Sequence, residues 1–124
     1  MGYYKVHEEQ LSWEEAKGAC EAEDAHLLIL NSEAEAAAVQ QLIKLHPNVN
    51  SWVHAGFHDK GKEGSYVTIF GEPLASTGFT RWNTNQPDNA GNNENCGSIH
   101  AATMGLNDLP CTTYRTPFVC EQFM

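Results

Sequence analysis

Residues 86–96 read Gln86-Pro87-Asp88-Asn89-Ala90-Gly91-Asn92-Asn93-Glu94-Asn95-Cys96, and further on the chain reads Leu106-Asn107-Asp108-Leu109-Pro110-Cys111. Gln86, Asp88, Glu94, Asn107 and Asp108 all offer hard oxygen atoms, and none is a good nucleophile. Calcium takes six to eight such oxygens at about 2.3–2.6 Å. These five side chains, with the backbone carbonyl of Asp108, meet that demand. Magnesium prefers a stricter octahedron and keeps its water, and zinc wants His or Cys, which do not cluster here. Three carboxylates in one site repel one another when no cation is present. The segment is therefore expected to loosen without metal.

The frame around that stretch follows from the rest of the chain. With 124 residues, 41% of them hydrophobic, it is long enough for one domain with a true core. No apolar run approaches a membrane span. A net charge of −9 excludes nucleic acid as a partner, because phosphate binding needs clustered Lys and Arg. The acidity serves solubility, and in residues 85–95, where Asp, Glu, Asn and Gln crowd together, it also serves cation binding. Cys20, Cys96, Cys111 and Cys120 form an even set with no Cys-x-x-Cys pair. Two disulfides and an oxidising, extracellular compartment follow, with three connectivities open. Met1-Gly2 is neither a signal peptide nor a myristoylation site, and is read as a start added to an excised mature domain over residues 3–124.

Tyr3 to Val6 is expected to open a sheet. Ser12 with Glu15, and Ser32 with Glu35, have capping-box spacing and start two helices. The second of these, with its stripe Ala36, Val39, Leu42 and Ile43, must stop ahead of Pro47. Leu27 to Leu30 reads as a buried strand, and Trp52 to Phe57, Tyr66 to Phe70, Cys96 to His100 and Thr116 to Gln122 as further strands. Gly71 to Asn95 reads as one long functional loop. The class is α+β, with two helices on largely antiparallel sheets and a polar loop above them. Trp13, Trp52 and Trp82 are read as packing residues. His54 and His58 lie on a strand and its turn and are not read as a metal pair.

These residues resemble the C-type lectin-like domain over essentially the whole chain. The resemblance rests on the two opening helices, His54-Ala55-Gly56-Phe57, Trp82 and Gln86-Pro87-Asp88. It continues through Glu94-Asn95-Cys96, Leu106-Asn107-Asp108-x-x-Cys111 and Phe118-Val119-Cys120-Glu121. It implies that Cys20 pairs with Cys120 and Cys96 with Cys111, and that the Gln86–Pro87 bond is cis when calcium is bound. It also implies a calcium site at Gln86, Asp88, Glu94, Asn107 and Asp108. An auxiliary site would use Asp59, Glu63, Asn89 and Asn95 and share Glu94, giving one or two ions. At such a site two neighbouring sugar hydroxyls reach the ion, with acids accepting and amides donating.

In the resembled family the order Gln-Pro-Asp accompanies galactose-like sugars. The run Asn89-Ala90-Gly91-Asn92-Asn93, however, lacks the aromatic ring on which such a sugar stacks. Relaxed specificity toward microbial or cell-surface glycans is expected, with His100 as a secondary contact. No hydrolase motif is present. Asp88 and Glu94 would make poor proton carriers once committed to calcium, so an enzyme is not expected. The alternative is a lectin-like scaffold that binds a protein without sugar. Shallow sites of this kind are weak singly, and avidity would come from self-association or from a longer parent chain.

Overall fold

The computed structural model describes residues 3–61, 65–83 and 95–122. In order, the elements are β1 (Tyr3–Leu11), α1 (Trp13–Ala22), β2 (His26–Leu27), α2 (Glu33–Ile43), β3 (Trp52–His58) and β4 (Val67–Thr68). A 3-10 turn (Leu74–Ser76), β5 (Cys96–His100), β6 (Leu106–Leu109) and β7 (Thr116–Gln122) follow. The strands form one sheet in the order β1-β7-β3-β5-β6, with β2 added to β7 and β4 to β3. Pairing is antiparallel except between β3 and β7, which meet in parallel at His54 and Phe118. The α+β class and the largely antiparallel sheet are as the sequence implied.

Helix α1 starts as its spacing requires. Ser12 Oγ accepts from Glu15 N–H, and the Glu15 carboxylate accepts from Ser12 N–H. It ends at Ala22 with Glu23 as its C-cap, and the chain turns away at Asp24, whose φ of 58° is left-handed, a conformation that short polar side chains tolerate. Helix α2 keeps only half of the expected box. Ser32 Oγ accepts from Glu35 N–H, but the Glu35 carboxylate turns inward. There it accepts from Asn31 N–H at 2.7 Å and from the Tyr4 hydroxyl at 2.6 Å. Position 35 is fully buried beneath β1, so its carboxylate serves the interior rather than the cap.

Four other boundaries differ from the sequence reading. The opening strand runs on to Leu11, because β7 offers it a partner down to Thr116. The segment Leu27 to Leu30 is laddered as strand only at its start. Beyond that, Leu28 N–H bonds Val119 O, and Leu28 O accepts from Gly56 N–H. Of Tyr66 to Phe70, only Val67–Thr68 pairs with β3 before the chain turns at Gly71, φ +85°. Leu106–Leu109, read in the sequence as a ligand motif, is a strand in its own right, paired to β5.

The larger core cluster gathers Leu28, Val39, Val53, Phe57, Phe79, Ile99 and Val119 between α2 and the sheet. A second forms around Trp13, Leu27, Phe118 and the Cys20–Cys120 bond. Both implied disulfides are present. Cys20–Cys120 ties α1 to β7, and Cys96–Cys111 ties the start of β5 to the chain just beyond β6. For sequence separations of 100 and 15 residues, chain entropy gives about 5 and about 3 kcal/mol. That is comparable to the whole stability of a typical domain. Among the described residues no helix is long and apolar enough to cross a membrane.

Candidate functional site

Strand β6 forms one end of the sheet path, paired to β5 on one side. Its register places Asn107 opposite Ser98 and Asp108 opposite Gly97. Neighbouring residues of a strand leave it on opposite faces, and the contacts agree. Asn107 Nδ2 donates to Ser98 Oγ at 3.0 Å and to Asp108 O at 2.9 Å. Asp108 Oδ2 accepts from the Tyr66 hydroxyl at 3.3 Å. Both residues are buried, at 2% and 0% exposure. A carboxylate so deeply placed calls for positive charge or several donors. With the two amide hydrogens of Asn107 committed inward, its Oδ1 remains as an oxygen for a cation. Asn107 and Asp108 thus present the oxygen chemistry that suits calcium.

Residues 84–94, with Gln86, Asp88, Asn89 and Glu94, and residues 62–64, with Glu63, lie outside the described residues, as does the Gln86–Pro87 bond. The flanks of 84–94 are described. Before it, Asn83 N–H bonds Leu106 O at 2.7 Å, and Leu106 N–H bonds Arg81 O at 2.9 Å. After it, Asn95 leads into Cys96, which pairs with Leu109. Leu106 and Leu109 immediately bracket Asn107–Asp108. The chain therefore enters and leaves the acid- and amide-rich segment beside the two described ligand candidates, and the Cys96–Cys111 bond pins the exit. For the auxiliary site, Asp59 and Asn95 are brought together, with Asp59 N–H donating to Asn95 O at 2.9 Å, and Asp59 is buried.

His100 stands at the far end of β5 from Cys96. Its ring meets Trp52 edge-on at 4.7 Å, and its Nδ1 accepts from Ala102 N–H. These contacts join it to the β5–β6 turn rather than to Asn107 and Asp108. Trp13 is a core residue whose Nε1–H donates to Ala55 O at 2.7 Å. Trp52 and Trp82 are only half-buried, and Trp82 packs on Tyr66 and Phe57. Between His54 and His58 the β3–β5 register shifts. His54 donates from Nε2 to Leu11 O at 2.8 Å, and burial holds its imidazole down to about 4. Among the described residues, the one trio of grouped ligand atoms is His7, Glu23 and Cys120, and the Cys120 sulfur is already in a disulfide.

Sequence reasoning missed two features. Tyr66 and Ser98 hold the site residues from opposite faces of β6. Ser98 was accessible from strand register, whereas Tyr66 has no signal in the sequence. Glu121, read only as part of a closing strand, is 3% exposed and hydrogen-bonded to Glu35. Burial first, and then the neighbouring Glu35 charge, push its carboxyl up to about 7 against the pull of the Ile29 N–H bond.

Comparison with known proteins accords with this geometry. The family model described as Lectin C-type domain matches residues 9–122. A hemolymph lipopolysaccharide-binding protein of Periplaneta americana is 49% identical over 127 residues, covering 98% of this chain and 49% of the relative. A hepatic lectin of Gallus gallus is 35% identical, over 91% of this chain and 51% of the relative. The chain thus spans about half the length of these curated relatives. Among solved structures, the mouse scavenger receptor C-type lectin carbohydrate-recognition domain superposes with a TM-score of 0.80. Its identity is 30%, covering 97% of this chain and 88% of that one.

Proposed function

The chain belongs to the C-type lectin domain family, and on that premise we propose that it binds carbohydrate through calcium held by Asn107, Asp108, Gln86, Asp88 and Glu94. One observation carries the reading. Asn83 and Cys96, on either side of the segment that carries Gln86, Asp88 and Glu94, pair with Leu106 and Leu109, the neighbours of Asn107–Asp108, which supports reading the five oxygen-bearing side chains as one site. Calcium, when bound there, supplies coordination positions for two neighbouring hydroxyls of a sugar. Asp88 and Glu94 would accept hydrogen bonds from those hydroxyls. Gln86 donates, while Asn107, with its amide hydrogens spent on Ser98 and Asp108, serves through Oδ1. Asp59, Asn95, Glu63 and Asn89 form the weaker auxiliary site, where two amides stand in place of acids.

The order Gln86-Pro87-Asp88 favours galactose or N-acetylgalactosamine, with selectivity relaxed by the absence of a ring at 89–93. The protein works outside the cell, as two disulfides suit. The relative's name supports microbial surface glycans as targets, reached with avidity through several copies or a longer chain. The test is retention on galactose and mannose resins with calcium and then with EDTA. Calcium-dependent retention, stronger on galactose and released by EDTA, is expected. Indifference to both sugar and chelator would overturn the reading in favour of a lectin-like scaffold. Asp108→Asn removes one ligand charge and is expected to weaken calcium binding about tenfold or more by titration calorimetry.

A further inference from the structure

A groove of about 300 Å³ opens beside β6, lined among the described residues by Tyr66, Leu74, Ala75, Thr80 and Trp82. We propose that this groove is a second carbohydrate subsite, which takes the pyranose next along the glycan from the one bound at Asn107–Asp108. The inference rests on the function proposed above and specifies its ligand as an oligosaccharide.

Position is the first argument. Both aromatic walls are fastened to the strand that carries the candidate ligands. Trp82 forms a parallel bridge with Leu106, and the Tyr66 hydroxyl donates to Asp108 Oδ2 at 3.3 Å. The groove is thereby built onto the strand that carries Asp108.

The lining is the second argument. The Tyr66 and Trp82 rings lie 4.9 Å apart at 60° to one another, giving two angled apolar faces, with buried Leu74 between them and exposed Thr80 and Ala75 at the rim. A pyranose has C–H faces that suit aromatic rings and hydroxyl edges that suit Thr80 and Tyr66, which is the mixed chemistry of small-ligand sites. Among the described residues no charged side chain lines the groove. A volume at the low end of the about 300–1,000 Å³ typical of small-ligand sites suits one ring rather than a long acyl chain. The third argument is what residues 89–93 lack. They contain no aromatic ring, whereas the groove offers those of Tyr66 and Trp82.

The test uses the whole chain with calcium, titrated with methyl β-galactoside and with a galactose-terminated disaccharide, by calorimetry and by NMR of the Trp82 indole N–H. The disaccharide is expected to bind about tenfold tighter and to shift the Trp82 signal, which the monosaccharide leaves in place. Ala75→Trp, which fills the groove from its exposed rim, is expected to bring the ratio of the two affinities to one. Equal affinities in the wild type, an unmoved Trp82 signal, or an unchanged ratio in the variant would overturn the subsite while leaving calcium-dependent monosaccharide binding intact. Failure of both sugars to bind in calcium overturns both readings.

Discussion

Glu121→Gln tests the electrostatics of the buried frame. In the wild type the Glu121 carboxyl is pushed from 4.5 up to about 7 by burial, with Glu35 beside it. Folded chains then keep a proton that unfolded chains release. This group's contribution is therefore favourable at low pH and is lost as pH rises from 4.5 through about 7. His54 works in the opposite sense. Burial takes its imidazole from 6.5 to about 4, so unfolded chains gain a proton that folded chains refuse. Its contribution is present above pH 6.5 and is lost as pH falls toward 4. Each unit of pKa difference is worth about 1.4 kcal/mol, so either group accounts for about 3 kcal/mol across its window.

The two windows overlap and the signs oppose, so in the wild type these groups nearly cancel between pH 6.5 and 4.5. In Glu121→Gln the amide keeps an acceptor for Ile29 N–H, which lies 3.3 Å from the carboxylate, but no longer titrates. His54 is then unopposed, and stability relative to wild type is expected to fall by about 3 kcal/mol from pH 7 to pH 4. Urea unfolding across that range, with disulfides intact and calcium chelated, measures it. The comparison with wild type removes every titration common to both chains. A difference between the two chains that stays constant from pH 7 to 4 would refute the reasoning.

Other outcomes follow from single contacts. Gly97→Ala would place a methyl group 2.5 Å from the Phe57 ring, and a loss of about 1–3 kcal/mol in urea unfolding is expected, since a buried ring has little room to yield. Ser12→Ala removes the side-chain half of the α1 cap and is expected to cost about 1 kcal/mol, read as a lower melting temperature with the fold retained. Glycan retention in calcium is expected to fall as pH drops from neutral to about 4, because protons compete with calcium for ionised carboxylates whose reference values lie near 4. Circular dichroism over the same range should show the fold intact, since His54 and Glu121 offset. Retention unchanged at pH 4 would contradict the calcium reading.

How much of this was legible in the sequence depends on the range of the physics involved. The caps at Ser12 and Ser32, the stripe on α2 and the limits of β3, β5 and β7 are set by local chemistry and periodicity, and the expectation met the structure closely. Tyr3 to Val6 was read too short because the extra pairing of β1 comes from β7, at the other end of the chain. Leu106–Leu109 was read only for the hard oxygens of Asn107 and Asp108, and Asn and Asp are poor strand formers. It becomes a strand through β5 and the nearby disulfide. Glu35 gave the same sequence signal as Glu15, yet one is buried with Tyr4 and Glu121 while the other is an exposed cap. No spacing rule separates them, since burial at position 35 is decided by β1 and β7. At the candidate site, the oxygen-bearing side chains of Asn107 and Asp108 were legible as residue types, and their placement follows from the ladder of β5 and β6, while Gln86, Asp88 and Glu94 lie outside the described residues.

That ladder also explains why Asn and Asp must stand side by side. Asn107 leaves β6 toward Ser98 and Asp108 leaves it toward Tyr66, so no point on either face of the sheet is near both side chains. One ion shared by the two residues, as the proposed site requires, would lie at the open edge of the strand. Residues 81–83 cover that edge at Leu106 and stop there, leaving it uncovered by described chain alongside the next two residues. Asn83 hands the chain on to residues 84–94 at that spot, and Cys96 receives it back opposite Leu109. In the proposed calcium site the sheet would hold Asn107 and Asp108 in place in advance, with the Cys96–Cys111 bond pinning β5 beside them, and ligands fixed beforehand lower the ordering cost of binding.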